Sequence, residues 1–197
     1  MVVGRLIDAS PPALVLVAVL AAERILELAL TRARLRNRRG TATHGTLEWS
    51  ALVAVHVGLL VLPPLEATWL GTRAPAPLLW SAIGVTVLAQ LLRYWSIVSL
   101  GQAWNARAVV DPALAVVERG PYRWVRHPNY AAVFLEFAAL PLAFGAWRSW
   151  LLLNVLHAPL IARRIRGEEA LLHRIPGYQE RMEAKGRFLP RSSGRNV

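Results

Sequence analysis

The sequence predicts an all-α integral membrane protein with five transmembrane helices, and three observations predict it. Hydrophobic residues make up 55% of the 197 and charged ones 18%, with a mean hydropathy of +0.36. Apolar runs long enough to cross a bilayer recur along the chain. The basic residues collect in alternate connections. Composition alone excludes a disordered tail and argues against a nucleic-acid binder, despite 23 Lys+Arg against 12 Asp+Glu and a net charge of +11. The chain has no cysteine, which removes disulfides, zinc–thiolate sites, iron–sulfur clusters and cysteine nucleophiles.

A span needs ~20 mostly apolar residues to cross ~30 Å of hydrocarbon. The first candidate, Pro11–Leu30, follows a short polar start without a small-residue cleavage site and reads as a retained anchor. The second is Trp49–Leu70, interrupted by Pro63-Pro64, and the third is Pro77–Leu100. The fourth, Tyr130–Trp147, and the short fifth, Ser149–Ile161, form a tight hairpin around Gly145–Ser149. The fifth continues as a helix into water and ends near Pro176-Gly177. Residues 1–100 thus read as a three-helix membrane scaffold and 101–197 as a functional core, together one structural domain.

Charge sets the orientation. The loops Thr31–Thr46 and Gly101–Pro128 and the tail from Ala162 hold 18 of the 23 basic residues. Arg5, Arg73 and Arg148 lie on the other side, and Arg24 and Arg93 lie within spans. The positive-inside rule then places the N-terminus outside and the C-terminus in the cytoplasm. Tryptophan agrees: Trp49 and Trp95 fall at inner span ends, and Trp69, Trp80, Trp147 and Trp150 at outer ones.

The loop before the fourth span is too elaborate for a connector. Gly120-Pro121 and His127-Pro128 are turn signals around a short cationic stretch, and they gather Tyr122, Arg126, His127 and Tyr130 at the cytoplasmic mouth of that span. Tyrosines stack on a flat ring, while arginine and histidine donate to a carboxylate or hydroxyl. Such residues also anchor interfacial loops. Glu168-Glu169 reads two ways as well: as charge balance, with Glu168 four residues after Arg164, or as ligands for an ammonium or ribose hydroxyls.

In order, the chain carries Leu100-Gly101, Trp104, Val116-Val117, Gly120-Pro121-Tyr122, Arg126-His127-Pro128-Asn129-Tyr130, Glu168-Glu169, Gly177-Tyr178 and Arg187-Phe188-Leu189-Pro190. This series, over roughly Arg93 to Pro190, resembles the isoprenylcysteine carboxyl methyltransferases and their phospholipid N-methyltransferase relatives. The resemblance implies a cytoplasmic S-adenosylmethionine site formed by the loop before helix four and the C-terminal tail. Its implied cofactor-binding residues are Val117, Gly120, Pro121, Tyr122, Arg126, His127, Pro128, Tyr130, Glu168 and Glu169. Tyr178 and Arg187 would face the acceptor, a lipophilic molecule entering from the bilayer, and Arg187 would orient a carboxylate, with Arg174 a weaker candidate. Arg181 stands where many members have a second tyrosine. Glu23-Arg24, Glu27-Leu28, Arg36-Asn37 and Ala138–Leu142 resemble a bacterial branch that methylates alkylresorcinol or alkylpyrone hydroxyls.

Ionisable residues within spans are costly and default to functional hypotheses. Glu136, about 9 Å beyond Tyr130 along the helix, and His157 on the fifth span should share a depth. They read as a hydrogen-bonded pair fixing the hairpin, or as a relay deprotonating a phenolic or enolic hydroxyl. Glu23 or Glu27 is expected to contact Arg93 between spans, and His56 to bond between helices. No group of histidines has metal-ligand spacing. Two other classes compete with a methyltransferase: an NADPH-dependent enzyme of the sterol-reductase type, and a non-catalytic adaptor whose basic tail binds anionic lipid.

Overall fold

A computed structural model describes residues 10–36, 41–42, 45–111, 113 and 115–191. Arg5 and Asn37, which figured in the sequence reading, lie outside the described residues.

The chain is mostly helical. Helix α1 spans Pro11–Leu35 and starts on two prolines, whose missing N–H groups would have had no intrahelical partner there. Helix α2 runs unbroken over Thr46–Leu70, a correction to the expected interruption at Pro63-Pro64. Both prolines are buried against neighbouring helices, and the Thr68 hydroxyl donates to the Pro64 carbonyl at 2.7 Å. Packing and side-chain bonding of this kind let a membrane helix tolerate the lost ladder bonds. Helix α3 covers Ala76–Leu100 and stops at Gly101, whose φ is +55°.

A two-residue ribbon follows, β1 (Thr41–Ala42) antiparallel to β2 (Val109–Val110), with Thr41 opposite Val110 and Ala42 opposite Val109. Helix α4 (Pro128–Ala139) tightens into a 3₁₀ segment, Leu140–Phe144. Together they rise about 28 Å at 1.5 and 2.0 Å per residue. Gly145 then reverses the chain with φ +64°; a Cβ there would sit 2.8 Å from the Arg73 backbone, so this hairpin tip lies directly on the α2–α3 connection. Helix α5 (Trp147–Leu172) returns the full depth of the bundle, and α6 (Tyr178–Met182) closes the described fold.

Leu20, Leu59, Phe137, Leu140, Phe144 and Leu153 make one core joining α1, α2, α4 and α5. Val15, Ile25, Leu88, Val98, Leu151 and Val155 point outward and are mostly exposed, an arrangement costly in water and ordinary in lipid. Two helices, Thr46–Leu70 and Ala76–Ala103, are long and apolar enough to cross a membrane, and Pro128–Phe144 is a shorter apolar one. Charges within α1 and on the C-terminal half of α5 keep those two below the same mark.

Candidate active site

The loop between α3 and α4 is built before it can bind anything. Asn105 acts as a local brace: its amide donates to the Val109 carbonyl at 2.9 Å and its carbonyl accepts from the Val109 N–H at 2.8 Å. The Ala106 N–H donates to the Thr31 hydroxyl at 3.0 Å, and Arg34 donates to the Trp104 carbonyl at 3.1 Å, tying this turn to α1. Farther on, a 3₁₀ turn over Gly120–Arg123 turns Tyr122 inward. Gly120 has φ +59°, and a Cβ there would collide with Ser99 on α3.

The tail is laid across this loop. Arg126 N–H donates to the Gly186 carbonyl and His127 N–H to the Arg187 carbonyl, each at 2.9 Å. The Lys185 ammonium donates to the Tyr122 carbonyl at 3.0 Å. Beneath lies Glu169, buried on α5. Its carboxylate accepts from His127 Nε2 at 3.2 Å and from Arg187 at 3.0 and 2.6 Å, with Arg126 at 3.5 Å. The hydrogen bond from His127, with help from the two arginines, holds the Glu169 carboxyl well below the usual range against the opposing effect of burial.

Adjacent Glu168 faces elsewhere. Its carboxylate accepts from the Tyr130 hydroxyl, and the same hydroxyl oxygen accepts from Arg164 Nε at 2.9 Å. The expected Arg164–Glu168 pairing therefore runs through an inserted tyrosine. Arg164 also donates to the Ala106 carbonyl at 2.5 Å and sits beside the Tyr130 ring.

Two cavities meet here. The first is lined by Val116, Val117, Tyr122, Arg126, His127, Glu168 and Tyr178, among others. Burial pushes the Tyr178 phenol up to about 12 and that of Tyr122 well above its ordinary value, so both are neutral walls at physiological pH. The second cavity lies between the helices, with Leu28, Leu52, Val53, Val57, Leu60, Val133 and Ile161 giving it an apolar lining. Trp104, Asn105, Asn129, Tyr130 and Arg164 line both.

Of the residues singled out from the sequence, Val117, Tyr122, Arg126, His127, Tyr130, Glu168 and Tyr178 come together at the first cavity. Gly120, Pro121 and Pro128 shape its backbone from outside, and Glu169 supports it from behind. Arg187 lines neither cavity, because Glu169 holds its guanidinium. Glu136 and His157 line neither as well, and the expected hydrogen bond between them is not formed. Glu136 is instead paired with Arg24 at 2.7 and 2.5 Å, while the His157 ring stacks on Phe137 at 3.8 Å and its Nε2 has no partner. An arginine one helix away offers a buried carboxylate far more than a neutral imidazole does. Arg93 does reach Glu27, at 2.7 and 2.6 Å, and Arg24 joins them at 3.0 Å from Glu27. His56 bonds within its own helix, to the Leu52 carbonyl at 2.8 Å, instead of between helices.

Asn105, Asn129 and Arg164 were not anticipated as lining residues. Asn129 had a visible signal in its place within the Arg126–Tyr130 motif, and Arg164 in its spacing to Glu168, which pointed to simple charge balance.

Residues 82–174 match the model of the isoprenylcysteine carboxyl methyltransferase (ICMT) family. An uncharacterised Bacillus subtilis protein, YpbQ, is 32% identical over 160 residues, covering 80% of this chain and 94% of that one. The chain carries an ICMT-family domain over residues 82–174. A protein-S-isoprenylcysteine O-methyltransferase from Schizosaccharomyces pombe is 31% identical over 94 residues, 47% of this chain and 40% of the yeast protein. The ICMT match contains the loop, α4 and the glutamate pair, and it stops before Tyr178 and the tail. Among the described residues no cluster of His, Asp or Glu is arranged to hold a metal.

Proposed function

We propose that this ICMT-family protein is an S-adenosylmethionine-dependent methyltransferase of the bacterial inner membrane. It spans the bilayer five times, with its N-terminus outside and its C-terminus in the cytoplasm, and methylates an oxygen of a lipophilic acceptor. One observation carries the reading: a cytoplasmic cavity with charged and polar groups in its lining and a more apolar intramembrane cavity share a wall at Trp104, Tyr130 and Arg164. A water-soluble donor and an oily acceptor can thus meet without either crossing the other's medium.

The chemistry of the first cavity fits the donor. Arg126 Nε and Asn129 Oδ1 are buried and unpartnered, one a donor suited to a carboxylate, the other an acceptor suited to an ammonium. Glu168 supplies a carboxylate for ribose hydroxyls or the ammonium, and Tyr122 and Tyr178 supply neutral faces. Bound there, S-adenosylmethionine would supply an electrophilic methyl on a sulfonium. The protein contributes position and dryness: Glu169 fixes the loop and tail over the cavity, and the apolar walls exclude water from the acceptor side. The yeast relative's printed activity supports an oxygen acceptor. A prenylated carboxylate and a polyketide-type hydroxyl, as in alkylresorcinols or alkylpyrones, both suit the second cavity.

Titration of the detergent-purified protein with S-adenosylhomocysteine and with NADPH tests the donor. The homocysteine is expected to bind and the nucleotide not; the reverse would replace this reading with a reductase. Labelled methyl donor with a panel of prenylcysteine, alkylresorcinol and phospholipid acceptors then identifies the acceptor.

A further inference from the structure

We propose that Thr31, near the C-terminal end of α1 and outside the matched ICMT segment, is a positioning residue for the wall between the two cavities. Its hydroxyl holds the 104–110 turn in a conformation that the turn does not keep by itself. This rests on the methyltransferase reading above and adds to it a residue and a source of affinity for the donor.

The turn is part of both cavities. Trp104 and Asn105 belong to the wall they share, Ala108 and Val109 line the first, and Ala106 lines the second. Its backbone is strained. Ala108 has φ +48° and is the one non-glycine residue with positive φ among those described. A Cβ makes that region costly, and such a conformation persists only where the surroundings over-determine it. Some of the restraint is internal. Asn105 brackets Val109 at both its N–H and its carbonyl, and the Ala108 N–H donates to the Asn105 carbonyl at 3.3 Å. These bonds close the turn on itself without fixing where it lies.

Placement comes from outside, at Ala106. Its N–H donates to Thr31 Oγ1 at 3.0 Å and its carbonyl accepts from Arg164 at 2.5 Å, so α1 and α5 hold one residue by its two backbone groups. Thr68 and Thr86 each donate to the carbonyl four residues back in their own helix, the usual habit of a helical threonine. Thr31 instead accepts from another element, and it is 3% exposed, so water does not readily take its place. Arg34, one turn on, gives a second and less buried hold through the Trp104 carbonyl.

A ligand whose site is formed only part of the time binds more weakly by that fraction. With Thr31 in place the turn waits in the conformation that walls the first cavity. Without the hydroxyl the Ala106 N–H loses its partner, the strain at Ala108 is less opposed, and the turn relaxes until a ligand reorders it. A residue that lies well before residue 82, where the ICMT match begins, thereby sets donor affinity without touching the donor.

Titration of the full-length, detergent-purified protein with S-adenosylhomocysteine tests this in Thr31→Ala, Thr31→Val and Thr31→Ser. Thr31→Ala is expected to weaken binding about tenfold, equivalent to about 1.4 kcal/mol, and Thr31→Val by a similar factor. Thr31→Ser keeps the hydroxyl and should stay within about twofold of wild type. Stability should not follow this order, because alanine is the better helix former; Thr31→Ala and Thr31→Ser should melt within about 4 °C of each other. Amide exchange over residues 103–110, read by mass spectrometry, should be faster in Thr31→Ala than in wild type without ligand and converge on it at saturating S-adenosylhomocysteine. Equal affinity in wild type and Thr31→Ala, or a loss in Thr31→Ser as large as in Thr31→Ala, overturns the assignment and leaves the donor site standing. Failure of wild type to bind S-adenosylhomocysteine overturns both readings together.

Discussion

Among the described residues, one cluster of glutamate and arginine lies within the helical bundle and another under the C-terminal tail. In the bundle, Arg24, Glu27, Arg93 and Glu136 join α1, α3 and α4 as two cations and two anions, every carboxylate met by a guanidinium. Under the tail, Glu169 alone faces Arg126, Arg187 and His127, and Arg126 keeps an unpartnered Nε. A closed neutral set is what low dielectric demands of a structural element. The excess of donors beside a cavity suits a site that receives an anionic group from outside. Balance of charge, more than residue type, separates the two roles.

The largest expected effect breaks the closed set. Glu136→Gln leaves Arg24 and Arg93 sharing Glu27 alone, one buried cation in excess, and should cost about 3 kcal/mol or more, read as a lowered Tm in detergent. Arg24→Met with Glu136→Leu removes a whole pair, leaves Glu27 matched to Arg93, and should recover most of the loss. Recovery of turnover with it would assign Glu136 to structure; turnover that stays lost while Tm recovers would return it to catalysis. Next, Glu168→Ala should weaken S-adenosylhomocysteine binding by about 10- to 100-fold, roughly 1.4 to 2.7 kcal/mol, with a smaller fall in Tm than Glu136→Gln.

Acid separates the clusters further. The Glu169 carboxyl is held below its ordinary value when folded, so its contribution is complete above that value and is lost as pH falls toward the folded one. Glu169→Gln should therefore be less stable than wild type at neutral pH, with the gap closing below about pH 4.5; a gap that persists in acid would deny the ion pairs their part. The smallest effect belongs to Arg187→Ala. Its side chain is 51% exposed, and the tail keeps its backbone bonds to Arg126 and His127. A loss of about 1 kcal/mol or less is expected, with acceptor KM unchanged; a raised KM would restore Arg187 to the acceptor site.

Much of the site was legible from order and spacing. Turn-forming Gly120-Pro121 and His127-Pro128 announced that Tyr122, Arg126, His127 and Tyr130 would converge, because glycine and proline fix local backbone whatever packs around it. The Arg93–Glu27 contact was also readable, since a buried charge must find its opposite. Other features were not readable. Pro63-Pro64 looked like a break, yet α2 continues because neighbouring helices bury the gap. Glu136 and His157 were placed at one depth correctly by hairpin geometry, but depth says nothing about rotation, and α1 supplied the partner.

The sequence by itself determined the helices, their apolar character and the residues of the loop, because periodicity, turn chemistry and charge act over a few neighbouring residues. The tertiary structure decided which like residues do different work. It turned Glu168 to a cavity and Glu169 to the tail, drew Arg187 out of the site, and set Arg164 in the wall where two cavities join. Those outcomes depend on which helix faces which across the bundle, and one-dimensional spacing carries no record of it.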